Sequence, residues 1–539
     1  MIYRLRCQVS SLFGIFLVAA APLLAQTSAS SAVLWTERTE TRTAGVSNVV
    51  APELAGRRTF LLNRGAMAAV LSRAPLESRS GSAPVEIPVP MPDGAMALFA
   101  LRESPVLSPE LSARHPEIRT YSGAGVDDLS LQARFDLTPA GFHGLILAPE
   151  GMVAIDPVDR RGSAMHTSSY MSRSKAGVSC SVTATSEPSL RMSSLRGPAS
   201  VETIPTPLTQ ERIYRLAVSA TAEYSARSGN TQDSVTASIT SVINRTNAVY
   251  ERDLGIRFRL VGFAIFTDAT SPFTDTDQRS ALTINQQLLD QRIGAANYDI
   301  GHVFLSRAGG GLGTFEALCD NSSKAMGSSP LGDYTEADFA TEMVAHEIGH
   351  QLNARHTFNA GGSPGCNEAQ RDTSSNYEVA SGVTIMSYAG ICEGGADPQD
   401  LDVKANGFFH TANIRQMLDA IAARKGCEAP PAGTAINSAP RIQAASAVTI
   451  PASTPFALSA VVTDPDAADQ KSLTYSWEEL DIGLSASPPY NDDGTRPLVR
   501  NYDPATSSTR YIPSLQYILA NQNVPPTTYQ KTVTVGGRR

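Results

Sequence analysis

The chain has 539 residues, a formal net charge of −8 and 42% hydrophobic residues, enough for three or four domains with at least one large core. The acidic balance, without any Lys/Arg cluster, argues against nucleic acid as a partner. Beyond the N-terminus no apolar run reaches about 18 residues, so neither a membrane span nor a membrane anchor is expected.

The N-terminus carries Arg4 and Arg6, an apolar stretch from Leu12 to Leu24 and a small residue at Ala25. That is the pattern of a secretory signal peptide covering 1–25, which directs the chain out of the cell. From 26 to 207 short β-like runs such as 95–101 and 144–147 are broken by Pro, Gly and Ser, which predicts a β-rich region. His115, His143 and His166 fall here without metal-ligand spacing. Ser186 to Pro207 reads as a linker and holds Arg191 and Arg196, either of which an activating protease could use.

An α/β domain with a mixed sheet is expected over 208–428. A strand is predicted at Tyr214–Ser219 and a helix through Val235, Ile239, Val242, Ile243, Val249 and Tyr250. A half-buried strand at Ile256–Leu260, a helix at Ala281–Ile293 and a strand at Asp299–Leu305 follow. His302 lies on that last strand without ligand spacing and reads as a packing or hydrogen-bonding residue. Gly309–Gly313 lacks the Lys-Ser/Thr of a phosphate loop. It leads into Thr314–Cys319, predicted as an edge strand along which a peptide could lie.

The most informative stretch is His346-Glu347-Ile348-Gly349-His350, followed by His356. Four residues span a little over one helical turn, so His346 and His350 project from one face. Two such imidazoles can share one Zn²⁺, with Glu347 beside them to hold a water rather than to ligate. A continued helix would not bring His356 onto the same ion, so the chain must turn sharply after His350. Phe339, Met343 and Val344 would pack the helix on a core. Three protein ligands leave an open position, which is a catalytic arrangement.

Downstream lies Thr384-Ile385-Met386-Ser387-Tyr388-Ala389-Gly390. With the histidine motif, this segment resembles the metzincin zinc endopeptidases, and within them the reprolysin-like (adamalysin-type) secreted bacterial group with a propeptide. The family has glycine where this chain has Asn353, which implies that the chain leaves the helix there with positive φ, a conformation asparagine suits best among ordinary residues. The resemblance implies an α/β catalytic domain over 208–428, a propeptide over 26–207, and protein or peptide substrates. It implies zinc held by His346, His350 and His356, Glu347 as general base, and Met386 as a hydrophobic floor rather than a ligand. In some metzincins a tyrosine at the offset of Tyr388 stabilises the tetrahedral intermediate; a core tyrosine is the competing reading. The loop Asn376 to Val383 would shape the specificity pocket.

Cys7 belongs to the signal region, which leaves Cys180, Cys319, Cys366, Cys392 and Cys427. Four of the five fall in the catalytic region, as two disulfides in an oxidising compartment would require. Sequence allows three pairings, and the resemblance implies Cys319–Cys427 with Cys366–Cys392. Cys180 is either a thiolate switch on the zinc of a zymogen or a buried inert thiol.

Residues 429–440 form a linker with Pro430-Pro431 and Gly433. Strand-like runs at Val448–Ile450, Phe456–Val462, Leu473–Trp477 and Tyr529–Val535 predict an incomplete immunoglobulin-like sandwich over 441–539, with Trp477 in its core. Asp464, Asp466 and Asp469 form a candidate Ca²⁺ loop. Two rival readings remain. One is a secreted adhesion or matrix-binding protein with a vestigial protease domain, against which an intact Glu347 argues. The other is purely structural zinc, which would need a fourth ligand such as Cys366. Oligomeric state is not legible in the sequence.

Overall fold

The computed structural model describes residues 33–38, 57–171, 211–428 and 438–521, with short gaps inside those ranges. The signal segment, Cys180, Arg191, Arg196 and the run Tyr529–Val535 lie outside the described residues. Among the described residues no helix is long and apolar enough to cross a membrane.

The N-terminal region is one antiparallel sheet built from β1 (Trp35–Glu37), β2 (Arg57–Leu62), β3 (Val85–Pro90), β4 (Met96–Glu103) and β5 (Arg119–Gly125). It continues through β6 (Gln132–Thr138), β7 (Gly141–Leu147), β8 (Val153–Pro157) and β9 (Met165–Tyr170). The order is β1-β2-β9-β8-β7-β6-β5-β4-β3. Two short helices, α1 (Arg64–Leu71) and α2 (Pro109–Arg114), accompany it. Alternation along the strands buries Phe60, Ile87, Phe99, Phe135 and Phe142 in a single core. His166 is buried there, edge-on to Trp35 at 5.4 Å.

The second region holds β10 (Arg212–Ala220), α3 (Ala222–Arg227), α4 (Gln232–Leu254), β11 (Ile256–Ile265), α5 (Gln278–Leu289) and β12 (Ile300–Leu305). Then come β13 (Leu312–Gly313), β14 (Gly327–Pro330), α6 (Ala337–Gln351) and α7 (Thr411–Ala423). The sheet order is β11-β10-β12-β14-β13. All its pairings are parallel except β13 on β14, so the sheet is mixed. Thr231 opens α4 with a capping box to Ser234, and Gly255 at φ 66° closes it and turns the chain straight into β11.

Helix α4 runs between the two regions, and this explains its unusual content of buried polar residues. Asn244 Nδ2 donates to Phe135 O at 3.0 Å, and Ser241 donates to Asp136 at 2.8 Å. Arg245 pairs with Asp156, while Arg134 forks onto Glu251. Arg257 on β11 reaches Glu77 and Ser104 at 2.7 Å each. Leu260 N donates to Val106 O and Ser108 N to Leu260 O, both at 2.8 Å, so the N-terminal chain extends the sheet at β11. That edge is the one farthest from β13.

Three expectations change. The predicted edge strand Thr314–Cys319 is a turn, because its amides go elsewhere: Ala317 and Leu318 donate to Gln351 O, and Cys319 to Asp299 O. The actual edge strand, β13, immediately precedes it. The helix predicted to reach Ile293 stops at Leu289 and continues as a short π-helical turn, Asp290–Gly294.

The third change is the C-terminal region. Among the described residues it forms two separate two-stranded ladders rather than a sandwich. They are β15 (Arg441–Gln443) with β17 (Val461–Thr463), and β16 (Phe456–Ser459) with β18 (Thr509–Ile512), followed by α8 (Leu515–Leu519). Val448–Ile450 forms no strand, and Leu473–Trp477 makes only an isolated bridge, Tyr475 to Ala505. Trp477 is half-buried and donates to Ser508 O at 3.0 Å. Described residues after Trp477 bond to the second region. Glu478 accepts from Thr411 N at 2.5 Å, and Gly483 and Asn376 exchange two hydrogen bonds.

Candidate metal centre

Helix α6 delivers the first two histidines. Met343 and Val344 are buried on its core side, while the Phe339 side chain lies outside the described residues. Tyr250 of α4 donates from its hydroxyl to Ala345 O at 2.8 Å, which fixes the helix one residue before His346. Glycines bring other elements close to the motif. A Cβ at Gly313 of β13 would stand 2.5 Å from Glu347 O and 2.7 Å from His350 Cβ. Gly311 lies against the Glu347 carboxylate, and a Cβ there would overlap it.

The helix ends at Gln351, and Asn353 takes φ 75°. Ala354 N then reaches back to Gly349 O at 2.8 Å, reversing the chain as a left-handed helix terminus does. The reversal has a second effect, because it presents Ala354 O to His350 Nδ1 at 2.8 Å. His346 Nδ1 meets Ile385 O at 2.7 Å, and His356 Nδ1 meets Gln370 O at 2.7 Å.

A carbonyl oxygen can only accept, so each Nδ1 carries the proton and each Nε2 carries the lone pair. The three Nε2 atoms converge: His356 lies 3.3 Å from His346 and 3.1 Å from His350. With that tautomer set no proton lies between them, and these approaches are not hydrogen bonds. Three buried lone pairs facing one point repel unless a cation sits among them. Burial pushes the His346 imidazole down to about 3 and His356 down to about 4, so both are neutral, as metal ligation requires. The donor set suits Zn²⁺, and the carbonyls are the outer partners that orient imidazoles toward a metal.

The Met386 turn lies beneath. Its sulfur would stand 2.8 Å from a Cβ at Gly349, and Thr357 N donates to Met386 O at 3.2 Å. Tyr388 is fully buried, stacked on Phe358 at 4.3 Å and edge-on to His356 at 4.7 Å.

Residues 236–357 match the model of the reprolysin-like metallopeptidases, family M12B. The chain carries a reprolysin-like metalloprotease domain. The family implies zinc-dependent peptide hydrolysis, and with it protein or peptide substrates. Among solved structures the chain is similar to metalloproteinase-II from Bacteroides fragilis, at 12% identity and a TM-score of 0.36. The likeness covers 66% of this chain and 95% of that one. No curated protein matches the chain.

The reprolysin-like match runs from α4 to Thr357, one residue past the third histidine. The Met386 turn and the loop leading to it lie beyond the match. Two disulfides brace this part: Cys366–Cys392 encloses the loop and the turn, and Cys319–Cys427 ties the segment after β13 to the end of the domain. Cys366 is therefore no metal ligand, which removes the purely structural zinc site that would have needed it.

His302 lies behind the reprolysin-like helix rather than in the site, between Gln351 Oε1 at 2.9 Å and Ser329 Oγ at 2.8 Å. His410 caps α7, accepting from Ala412 N at 3.1 Å. The carboxylates of Asp464, Asp466 and Asp469 lie within 4.8 Å of one another, but an acidic turn alone does not make a calcium site. Sequence reading missed the three carbonyls that orient the histidines, since backbone acceptors leave no residue signature. It also missed Glu378, which only tertiary contacts single out.

Proposed function

We propose that the chain is a secreted zinc endopeptidase made as a zymogen, with His346, His350 and His356 as the zinc ligands and Glu347 as the general base. The observation that supports it most is the set of three Nδ1–H groups each bound to a backbone carbonyl, which turns three Nε2 lone pairs onto one point. When bound, Zn²⁺ supplies a Lewis acid that polarises the scissile carbonyl and lowers the pKa of water. Glu347 accepts the proton of the attacking water and returns a proton to the leaving nitrogen. Gly311 leaves room for that carboxylate, and β13 offers its edge to an extended peptide. Tyr388 acts as the wall that holds the His356 ring, with Phe358 behind it.

The test is cleavage of an unfolded protein by the full chain, before and after limited proteolysis, with and without a zinc chelator and beside Glu347→Ala. Cleavage that appears after proteolysis and is lost with chelator and with the variant is the expected result. A folded, zinc-loaded and proteolytically processed chain that cuts nothing sinks the reading.

A further inference from the structure

The loop between Cys366 and Met386 holds a buried carboxylate that peptide hydrolysis does not use. Glu378 is 2% exposed. Its Oε1 accepts from the Thr357 hydroxyl at 2.5 Å and from the Thr384 hydroxyl. Its Oε2 accepts from Val383 N at 2.8 Å, Thr384 N at 3.2 Å and Asn501 Nδ2 at 3.2 Å. The backbone joins in: Glu378 N donates to Thr357 O at 2.8 Å, and Asn359 N donates to Glu378 O at 3.0 Å.

The donors come from three separate stretches, and two of them adjoin the metal centre. Thr357 directly follows His356. Thr384 directly precedes Ile385, whose carbonyl orients His346. One side chain therefore links the segment carrying the third histidine to the segment that aims the first. The third stretch is C-terminal: Asn501 is 3% exposed and reaches the same oxygen.

We propose that Glu378 is a positioning residue for the histidine triad, and that the C-terminal region completes it through Asn501. This rests on the triad being the zinc site. It acts through Thr357 and Thr384 and touches neither metal nor substrate. A displaced Thr357 or Ile385 would tilt an imidazole off the common point, and groups that orient ligands typically carry about tenfold or more in metal affinity.

The test uses the full chain and reads zinc affinity by competition with a chromophoric chelator, alongside the melting temperature of the metal-free protein. Glu378→Ala should bind zinc about tenfold more weakly than wild type. Glu378→Gln should recover most of that loss. Its amide oxygen can still take the Val383 and Thr384 N–H groups, while both hydroxyls rotate to accept from its NH₂. Thr357→Val and Asn501→Ala each remove one contact and should weaken zinc in the same direction. These two decide the matter if Glu378→Ala does not fold. A purely structural role would lower the metal-free melting temperature and leave zinc affinity within twofold of wild type, which overturns the proposal. A wild-type chain that binds no zinc overturns the zinc reading and this inference with it. Wild-type binding matched by every variant overturns this inference alone.

Discussion

His346 donates from Nδ1 to the carbonyl oxygen of Ile385 at 2.7 Å, so the residue preceding Met386 decides which nitrogen of the first histidine faces its partners. The methionine turn is therefore more than a floor under the site. It supplies the acceptor that sets a tautomer, as Ala354 and Gln370 do for His350 and His356. Each histidine is aimed by a different loop, so the convergence point depends on backbone placed well outside the five-residue motif.

Two glycines test how tightly β13 and its approach hold the motif. Gly311→Ala puts a methyl group where the Glu347 carboxylate lies, so the base must move. The turnover rate should fall about tenfold or more while zinc remains bound, since base catalysis depends on hydrogen-bond reach. Gly313→Ala instead meets backbone, 2.5 Å from Glu347 O, where nothing can swing aside. It should destabilise the fold by about 1–3 kcal/mol, read from denaturant midpoints.

Asn353 at φ 75° tolerates a conformation that L-residues pay for. Asn353→Gly should be neutral or stabilising, by up to about 1 kcal/mol. Asn353→Val should cost about 1–2 kcal/mol and weaken zinc, because the same turn places Ala354 O against His350. Equal melting temperatures for the two variants would show that the turn is not set at this residue.

The catalytic elements were legible where local pattern and tertiary context agree. The alternation in Ile256–Leu260, the helical spacing from Val235 to Tyr250, and the HExxH spacing each describe a surface that packs on one side. The Asn353 turn was legible through the family's glycine at that position, and the observed φ of 75° agrees. Elsewhere the determinants were non-local. Thr314–Cys319 looked like a strand, but its amides are taken by Gln351 and Asp299. Leu473–Trp477 has strand composition, yet Glu478 and Gly483 just beyond it, and Asn501 farther along the chain, bond to the second region. Glu378 reads as one glutamate among many until Thr357, Thr384 and Asn501 surround it.

Buried His302 makes stability depend on pH. In an unfolded chain histidine titrates near pH 6.5, whereas burial pushes His302 down to about 4. Between those values only the unfolded chain holds the proton. Acidification from about pH 6.5 to about 4 therefore favours unfolding, and below about 4 the contribution levels off. The full span is of the order of 3 kcal/mol. In metal-free protein, urea midpoints should fall less steeply over this window for His302→Gln than for wild type. Parallel slopes would mean that His302 is protonated in the fold at the same pH as in the unfolded chain.

The ion pair between Arg134 of β6 and Glu251 of α4 carries the last expectation. The Arg134 side chain is 3% exposed and also donates to Ser104 at 2.6 Å. Removing Arg134 leaves the half-buried Glu251 with Arg257 as its remaining partner, and takes one donor from Ser104. Arg134→Met should therefore destabilise the chain by about 1–3 kcal/mol, and adding Glu251→Gln should return part of it. The pair does not act alone, because Arg257 shares Glu251 and also pairs with Glu77. With the Leu107–Leu260 bridge, these contacts join the N-terminal sheet to the catalytic region independently of the chain between them. A chain cut at Arg191 or Arg196 should consequently elute as one particle at low salt. Arg134→Met cut in the same way should separate at a lower denaturant concentration than the cut wild type. Two particles from the cut wild type would mean that this interface holds only while the chain is continuous.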